Sequence, residues 1–417
     1  MTEAIFQNRE HVDRLAASEE EERQASRVLF VTPRFPPPPD GLGDHVFRLA
    51  SALNLDPPVF VLTGREGTRR PRVEVVRAQE GPGSFEVLRW VRGWGVDGPL
   101  ALARALRRSR ASLVHLHYVP HGFGRYGFAP AVALFPLIAR AFGARTLVTV
   151  HEFAPEGTRA IGAWIQAHAL RVQGRVLLAL SNATSVAASS LLPSRRGEIA
   201  VTPGGPTVEP VALDRTAARE RLRAAGIAPP AWRFVLASAA TAHPGRRYGA
   251  AVEAVRALRR RGRAIGLLLV GDGFGPRHPD FGCVTALAAD GGAATTGAVD
   301  GETYSLCLRA ADLFAHFHED GATERSTSLA NALAHALPCV IGRGRAAAPE
   351  LLDGCGGITL VPWGDAEATA SAIERFLEDE GSRDRAGAAV AALAADRFSW
   401  PAIADRYREI YECLRPR

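Results

Sequence analysis

The sequence predicts an α/β protein of two domains, each built around a doubly wound, mostly parallel β-sheet. Three observations support this. Short, fully apolar runs recur along the chain and alternate with segments of helical periodicity, as in repeated βα units. Glycines or polar residues follow several of these runs, where ligand loops lie in open α/β sheets. The length, 417 residues, is sufficient for two domains with full hydrophobic cores.

Residues 1–26 are acidic and polar, and we expect them to form a loosely docked helix before the first strand. The expected strands of the first domain are 27–33, 58–64, 72–76, 112–120, 146–153, 178–182 and 199–208. Its expected helices follow a glycine loop at 40–45 and cover 100–108 and 160–177.

Residues 208–233 are the predicted crossing into the second domain. Its expected strands are 234–239, 266–273, 295–299, 311–317, 339–344 and 357–365. Its expected helices begin near 248, 300, 326 and 349, and a last helix covers 398–414. The helix after 326 carries one apolar stripe, which includes Leu329, Leu333 and Ala336 and ends before Pro338.

Composition limits the class of protein. Apolar residues make up 47% and charged residues 23%, as in globular proteins, and no run approaches the ~18–20 apolar residues of a membrane span. With a polar N-terminus we expect a cytoplasmic protein without a transmembrane segment. The net charge of +6 comes entirely from arginine, and the densest run, 256–263, alternates with apolar residues. This pattern favours a solvated helix face over a nucleic-acid site.

The most informative stretch is 317–340, FHEDGATERSTSLANALAHALPCV. Small hydroxyl residues lead into the first turn of a helix, where free backbone N–H groups and the helix dipole favour a bound anion. Taken by itself, the pattern also fits a capped core helix behind a polar loop.

Four segments in this order resemble the retaining glycosyltransferases of family four. They are the loop DGLGD at 40–44, His151 at a strand end, the basic pair in PGRRY, and the segment from Glu324 to Pro338. The resemblance covers nearly all of 27–414. It implies the GT-B fold, in which two Rossmann-like domains face each other across a cleft. The domains would be 27–207 and 208–397, with the terminal helix 398–417 crossing back to the first.

The resemblance also implies the site. A nucleoside-diphosphate sugar would bind mainly to the second domain, with its diphosphate on Arg246, Arg247 and the helix that starts near Ser326. Asp320 and Glu324 would hold sugar hydroxyls and are the catalytic candidates together with His151. The further donor-binding candidates are Gly41, Gly43, Gly271, Gly273, Gly321, Arg325, Thr327, Ser328, Leu329 and Asn331.

Some positions depart from the family pattern. Asn331 stands where the family has its second glutamate, Thr323 stands at the first with Glu324 beside it, and Thr241 replaces an arginine. These changes leave open whether donor choice is altered or activity is lost.

The acceptor candidates are Asp44 in the glycine loop and Tyr118, His121 and Tyr126 in the segment 118–126. That segment follows a strand, where ligands bind in α/β sheets. Packed aromatic loop residues and a hydrogen-bonded structural histidine at position 151 are the alternative interpretations.

No Asp-x-Asp motif or His–Cys cluster is visible in the sequence, so no metal and no cofactor besides the nucleotide sugar is expected. The expected function is metal-independent, retaining glycosyl transfer in bacterial glycan or natural-product biosynthesis. Two alternatives stay open: other nucleotide-sugar chemistry, such as epimerisation or a non-glycosidic coupling, and a catalytically inactive partner protein. A homodimer also stays open.

Overall fold

The computed structural model describes residues 27–415 except 39, 56–58, 66, 69, 79–82, 153–160, 192–198, 228–231, 241–244 and 347–354, and for 125 and 161–164 it describes the backbone alone. The chain forms two compact units. One runs to Thr202 and includes Ile403–Arg417, and the other is Pro203–Ala402. The sequence predicts these divisions at 207/208 and 397/398.

The described residues of the first unit form an eight-stranded sheet. In chain order its strands are β1 Val28–Val31, β2 Phe60–Gly64, β3 Arg72–Arg77, β4 Ser84–Val91, β5 Leu113–Tyr118, β6 Arg145–Val150, β7 Ala183–Val186 and β8 Ala200–Val201. Their spatial order is β3-β4-β2-β1-β5-β6-β7-β8. All neighbouring strands are parallel except β3 and β4, which are antiparallel.

Helices of the first unit pack on this sheet. They are α1 Gly41–Leu53, α2 Asp97–Ser109, the short α3 Pro120–Phe123, α4 Phe135–Ala141 and α5 Ile161–Leu180. Strands β1 and β5 are buried along their whole length because helices cover a parallel sheet on both faces. Strand order reverses between these two neighbours, so the carboxyl ends of β1 and β5 border the crevice in which such sheets bind ligands.

The second unit contains a six-stranded, all-parallel sheet of order β11-β10-β9-β12-β13-β14 within the described residues. The strands are β9 Phe234–Ala239, β10 Ile265–Val270, β11 Ala293–Thr295, β12 Leu313–His316, β13 Cys339–Gly342 and β14 Ile358–Val361. The helices are α6 Arg215–Ala224, α7 Gly249–Arg260, α8 Phe281–Ala289, α9 Gly301–Ala310, α10 Thr327–Ala334, α11 Ala366–Glu378 and α12 Glu380–Leu393.

The last helix, α13 Trp400–Cys413, carries the chain back from the second unit to the first. In the first unit, Tyr407 donates to Thr202 and Tyr411 hydrogen-bonds His115. These phenols anchor the helix by its buried apolar side chains, which include Ile403, Tyr407, Tyr411 and Leu414. No helix among the described residues is both long and apolar enough to span a bilayer.

The structure corrects several expected elements. Residues 178–180 belong to helix α5, and the strand begins only at Ala183, because an apolar run of this length suits either state. The short strand expected at 295–299 lies at Ala293–Thr295. Strand β4 was missed, and its antiparallel partner β3 is an exposed edge strand rather than part of a βα unit.

Two further corrections concern helix ends. The expected loop 40–45 is the beginning of α1, capped by Asp40, and α10 ends at Ala334, so Ala336 lies outside the helix with a φ of 57°. The expected helices at 1–26 and 349–352, and the position of Thr241, fall outside the described residues.

Candidate functional site

In the second unit, the side chain of Arg246 is buried, with 5% of the residue exposed. Its Nη2 donates to Ser328 Oγ at 2.9 Å, and its Nη1 lies 3.5 Å from His316 Nδ1. Among the described residues, its buried Nε has no hydrogen-bond partner and its guanidinium forms no ion pair. A buried charge without a partner is costly, so this position favours an incoming anion.

His316 and Tyr304, two described neighbours of Arg246, are uncharged. Burial, followed by the charge of Arg246, holds the pKa of His316 well below its usual value, so the imidazole is neutral. Burial raises the pKa of Tyr304 to about 12, although Arg246 and Asn331 act in the opposite direction. Neither neighbour therefore supplies a charge that would offset Arg246.

Arg246 lies in the short connection that precedes helix α7. Arg246 forms an antiparallel bridge with His318, directly after β12, and α7 begins three residues later at Gly249. The loop that begins at His318 leads to α10, so the bridge places the guanidinium of Arg246 beside the start of that helix.

Helix α10 presents its N-terminus to this region. Ser326 caps it, since its Oγ accepts from Leu329 N at 3.4 Å and lies 3.2 Å from Ser328 Oγ. Thr327 and Ser328 form the first turn, where backbone N–H groups and the helix dipole favour negative charge, while Leu329 is buried in the core. The cap and the arginine thus favour the same kind of ligand.

Arg247 differs from its neighbour. Its Nη2 pairs with the carboxylate of Glu319, and its Nη1 donates to the carbonyl of Arg246 at 2.9 Å. The side chains of this pair are about one-third exposed. The charge of Arg247 is therefore offset by Glu319 and partly solvated, whereas the charge of Arg246 is neither offset nor solvated. Its role as a donor ligand stays a prediction.

Asn331 has a structural role in this conformation. Its Oδ1 accepts from Thr207 N at 2.8 Å and Val208 N at 3.2 Å, and its Nδ2 donates to Thr207 Oγ1. A glutamate here could accept the two N–H groups but could not donate to the hydroxyl. The amide therefore ties the segment at 207–208 to α10.

The acidic turn before α10 is packed tightly. Gly321 has a φ of 83°, and a Cβ added to Gly344 would lie 1.9 Å from Gly321 N, so residue 344 must be glycine for the two backbones to meet. The Asp320 carboxylate lies 3.4 Å from Arg325 and 3.8 Å from Arg345. Asp320 is thus held by cations on two sides.

Glu324 is 3% exposed, and its carbonyl accepts from Gly204 N at 2.9 Å. This bond fixes the backbone of the segment that carries the candidate sugar-binding carboxylate. At the end of β10, Gly271 and Gly273 have φ values of 109° and 108°, and Gly271 N donates to Thr296 Oγ1. Tyr304 lies against Gly271, which places that turn near Arg246.

In the first unit, three histidines converge that the sequence does not place together. His45 on α1, His117 in β5 and His151 after β6 each offer a ring atom, and these atoms lie within 4.8 Å of one another. His117 Nδ1 is 3.1 Å from His151 Nε2. Of the three, the sequence predicts a functional role only for His151. In the sequence, His117 appears as the second His of the HLH run of β5, and His45 is the His that follows the DGLGD segment.

The glycines of 40–44 lie in the first turn of α1. Asp40 Oδ1 accepts from Gly43 N at 2.9 Å, so this N–H is already satisfied, and a Cβ at position 43 would meet the backbone of Arg34 at 3.2 Å. Gly41 faces open space. Burial raises the pKa of the half-buried Asp44. The ligand roles of Gly41, Gly43 and Asp44 stay predictions.

The acceptor candidates separate into two groups. Tyr118 lies in β5 rather than in a loop and is fully buried. Its hydroxyl accepts a hydrogen bond from Gln173, so its side chain has no exposed surface that could contact an acceptor substrate. His121 and Tyr126 are exposed, and Tyr126 has a φ of 56°. Its carbonyl accepts from Gln166 at 2.6 Å, which holds the backbone of the turn.

Comparison with known proteins gives the fold and one family match. Residues 233–379 match the family model described as Glycosyl transferases group 1. This segment includes Arg246, the acidic turn and α10. No curated protein matches the chain by sequence.

Solved structures match over almost the whole chain. Sucrose-phosphate synthase from Thermosynechococcus elongatus superposes with a TM-score of 0.68 at 18% identity, over 93% of this chain and 99% of that one. HepE from Anabaena, in complex with UDP and glucose, has a TM-score of 0.63 at 15% identity, over 93% and 100%. The catalytic domain of starch synthase IV from Arabidopsis thaliana, bound to ADP and acarbose, has a TM-score of 0.62 at 14% identity, over 94% of this chain and 100% of that one. The α/β fold with two parallel-sheet domains is that of GT-B glycosyltransferases.

Proposed function

We propose that this protein is a glycosyltransferase that moves a sugar from a nucleoside-diphosphate sugar to an acceptor. The observation that carries the proposal is the buried Arg246, which lacks an ion pair among the described residues and lies beside the N-terminus of α10. The matched family segment, which includes both features, supports the same function.

The chemistry of the leaving group explains why this arrangement suits transfer. When the bond between sugar and phosphate breaks, the bridging oxygen gains negative charge. Arg246 and the first turn of α10 are held in place before the reaction, so they stabilise that charge without reorganisation. Because the charge is larger in the transition state than in the bound donor, the same contacts accelerate the reaction more than they tighten binding.

The finer parts of the proposal rest on the sequence resemblance. They are retention of anomeric configuration, transfer without a metal ion, and action in bacterial glycan or natural-product biosynthesis. Solved complexes of HepE with UDP-glucose and of starch synthase IV with ADP support a nucleoside diphosphate as the leaving group. In this proposal Asp320 and Glu324 bind sugar hydroxyls, and His151 contacts the sugar.

The test is release of nucleoside diphosphate from a panel of UDP-, ADP- and GDP-sugars, with and without candidate acceptors. We expect wild type to release one diphosphate per glycoside formed, and Arg246→Met to release it much more slowly. A protein that changes the sugar but releases no diphosphate would be an epimerase. A protein that binds every donor and turns over none would be an inactive partner, and either result would overturn the proposal.

A further inference from the structure

The histidine cluster of the first unit lies at the point where the sheet reverses its strand order. His45 belongs to the helix after β1, His117 lies in β5, and His151 follows β6. The carboxyl ends of these strands meet at one edge of the sheet, which is where ligands bind in this class of fold. The fold therefore brings three imidazoles from separate βα units to one place.

The distances are compatible with metal coordination. With Zn–N bonds of about 2.0–2.1 Å, two ligand nitrogens in a tetrahedral site lie about 3.4 Å apart. In the cluster, one ring atom from each of the three histidines lies within 4.8 Å of the other two. Coordination of one ion would bring the three atoms from this spread to about 3.4 Å apart.

The neighbouring histidine provides a comparison within the same strand. His115 uses both ring nitrogens, with Tyr411 Oη and Thr149 Oγ1 each at 2.7 Å, as a structural core histidine does. His117, two residues on, is also fully buried, yet its Nε2 has no hydrogen-bond partner among the described residues. A buried polar atom without a partner is uncommon in a core. The cluster thus differs from ordinary packing.

We propose that His45, His117 and His151 bind one divalent transition-metal ion of the Zn²⁺ class. Imidazole nitrogens suit Zn²⁺, Cu²⁺, Ni²⁺ and Co²⁺ and do not suit Mg²⁺. Three protein ligands leave a fourth position of the metal open. His151 is half-buried, so an ion can enter from its side.

The proposed ion would act on transfer through His151. The following consequence rests on the proposed function. If His151 contacts the sugar, an ion bound to its ring removes that contact. Added Zn²⁺ is therefore expected to slow transfer, and a chelator to restore it.

The experiment uses the full chain, stripped of metal and titrated with ZnCl₂ by calorimetry and with Co²⁺ by visible absorption. Wild type is expected to bind one ion and to give the absorption of tetrahedral Co²⁺. Loss of a group that only orients a ligand weakens affinity roughly 10- to 100-fold, so His45→Gln and His151→Ala, which remove a ligand, should weaken it by more than about 100-fold. His168→Ala, an exposed histidine on α5, is the control and should bind as wild type does.

Circular dichroism of the metal-free variants shows whether each is folded. If His45→Gln does not fold, the half-buried His151→Ala carries the comparison. Wild type that binds no ion, or a folded His151→Ala variant that binds it as tightly as wild type, would overturn the inference. Zinc binding without any sugar transfer would leave the site standing and remove the proposed function, whereas transfer without zinc binding would do the reverse.

Discussion

Replacing Arg246 by methionine is expected to change stability and ligand affinity in opposite directions. Methionine keeps most of the buried volume and removes the charge. In the ligand-free protein this removes a buried cation that forms no ion pair among the described residues, whose desolvation costs several kcal/mol. It also removes the hydrogen bond to Ser328, a charged bond worth about 1.5–3 kcal/mol.

These terms set the expected magnitude. Ser328 Oγ keeps a partner in Ser326 Oγ at 3.2 Å, so no hydroxyl is orphaned by the change. We expect the free energy of unfolding to stay level or to rise by about 1–2 kcal/mol, as found when buried ionic groups give way to apolar ones. Affinity for a nucleoside diphosphate should instead fall by about 1.5–3 kcal/mol, or roughly 10- to 150-fold, since a charge-assisted contact is lost.

The assay combines two measurements on the same preparations. Urea unfolding gives the stability of the ligand-free proteins, and calorimetry with UDP and with ADP gives their affinities. Arg247→Met is the matched control, because Arg247 is adjacent and equal in charge but paired with Glu319. Because the charge of Arg247 is already offset by Glu319 and partly solvated, Arg247→Met should weaken diphosphate affinity less than Arg246→Met does.

One pair of results would contradict a role of Arg246 in binding the diphosphate. If Arg246→Met loses several kcal/mol of stability and binds UDP and ADP as wild type does, Arg246 is a structural residue and α10 is an ordinary capped helix.

Four further predictions concern the reaction and the acidic turn. His151→Ala should leave donor affinity unchanged and lower turnover about a hundredfold, equivalent to roughly 3 kcal/mol of lost transition-state stabilisation, and unchanged kcat would make the residue structural. Transfer should persist in EDTA; loss of activity restored by Mg²⁺ or Mn²⁺ would contradict the metal-independent mechanism. Glu324→Gln should reduce discrimination among sugars, measured as kcat/KM ratios, while affinity for bare UDP and ADP stays the same, and intact discrimination would exclude a sugar contact. Gly344→Ala should lower the free energy of unfolding by about 1–3 kcal/mol, because its Cβ meets Gly321 N at 1.9 Å, and unchanged urea unfolding would mean that the turn can move freely.

The sequence predicts the parallel core of both sheets well, because buried parallel strands read as continuous apolar runs. It predicts the edge of the first sheet poorly. The run RVEVVR of β3 is mostly exposed and pairs with the missed strand β4, and apolar periodicity alone does not assign such a run to an antiparallel edge. The strand predicted at 178–182 was wrong for a related reason, since a short apolar run suits a helix end as well as a strand.

For the candidate site too, the sequence predicts some features and only the fold shows the others. The position of Arg246 before a helix follows from local pattern, but Arg246 and Arg247 look equivalent in sequence. Only the fold brings Glu319 to one of them and leaves the other buried. The histidine cluster also depends on topology, because His45, His117 and His151 meet only when β1, β5 and β6 align.

The central claim is tested most directly by ³¹P NMR of the protein turning over a nucleotide sugar in the presence of acceptors. The account predicts that the signal of the sugar-linked phosphorus disappears while the terminal phosphate of a free nucleoside diphosphate grows in equal amount. It also predicts that the anomeric proton of the product keeps the configuration of the donor. A sugar-linked phosphorus signal that stays intact across the UDP-, ADP- and GDP-sugar panel would contradict the account.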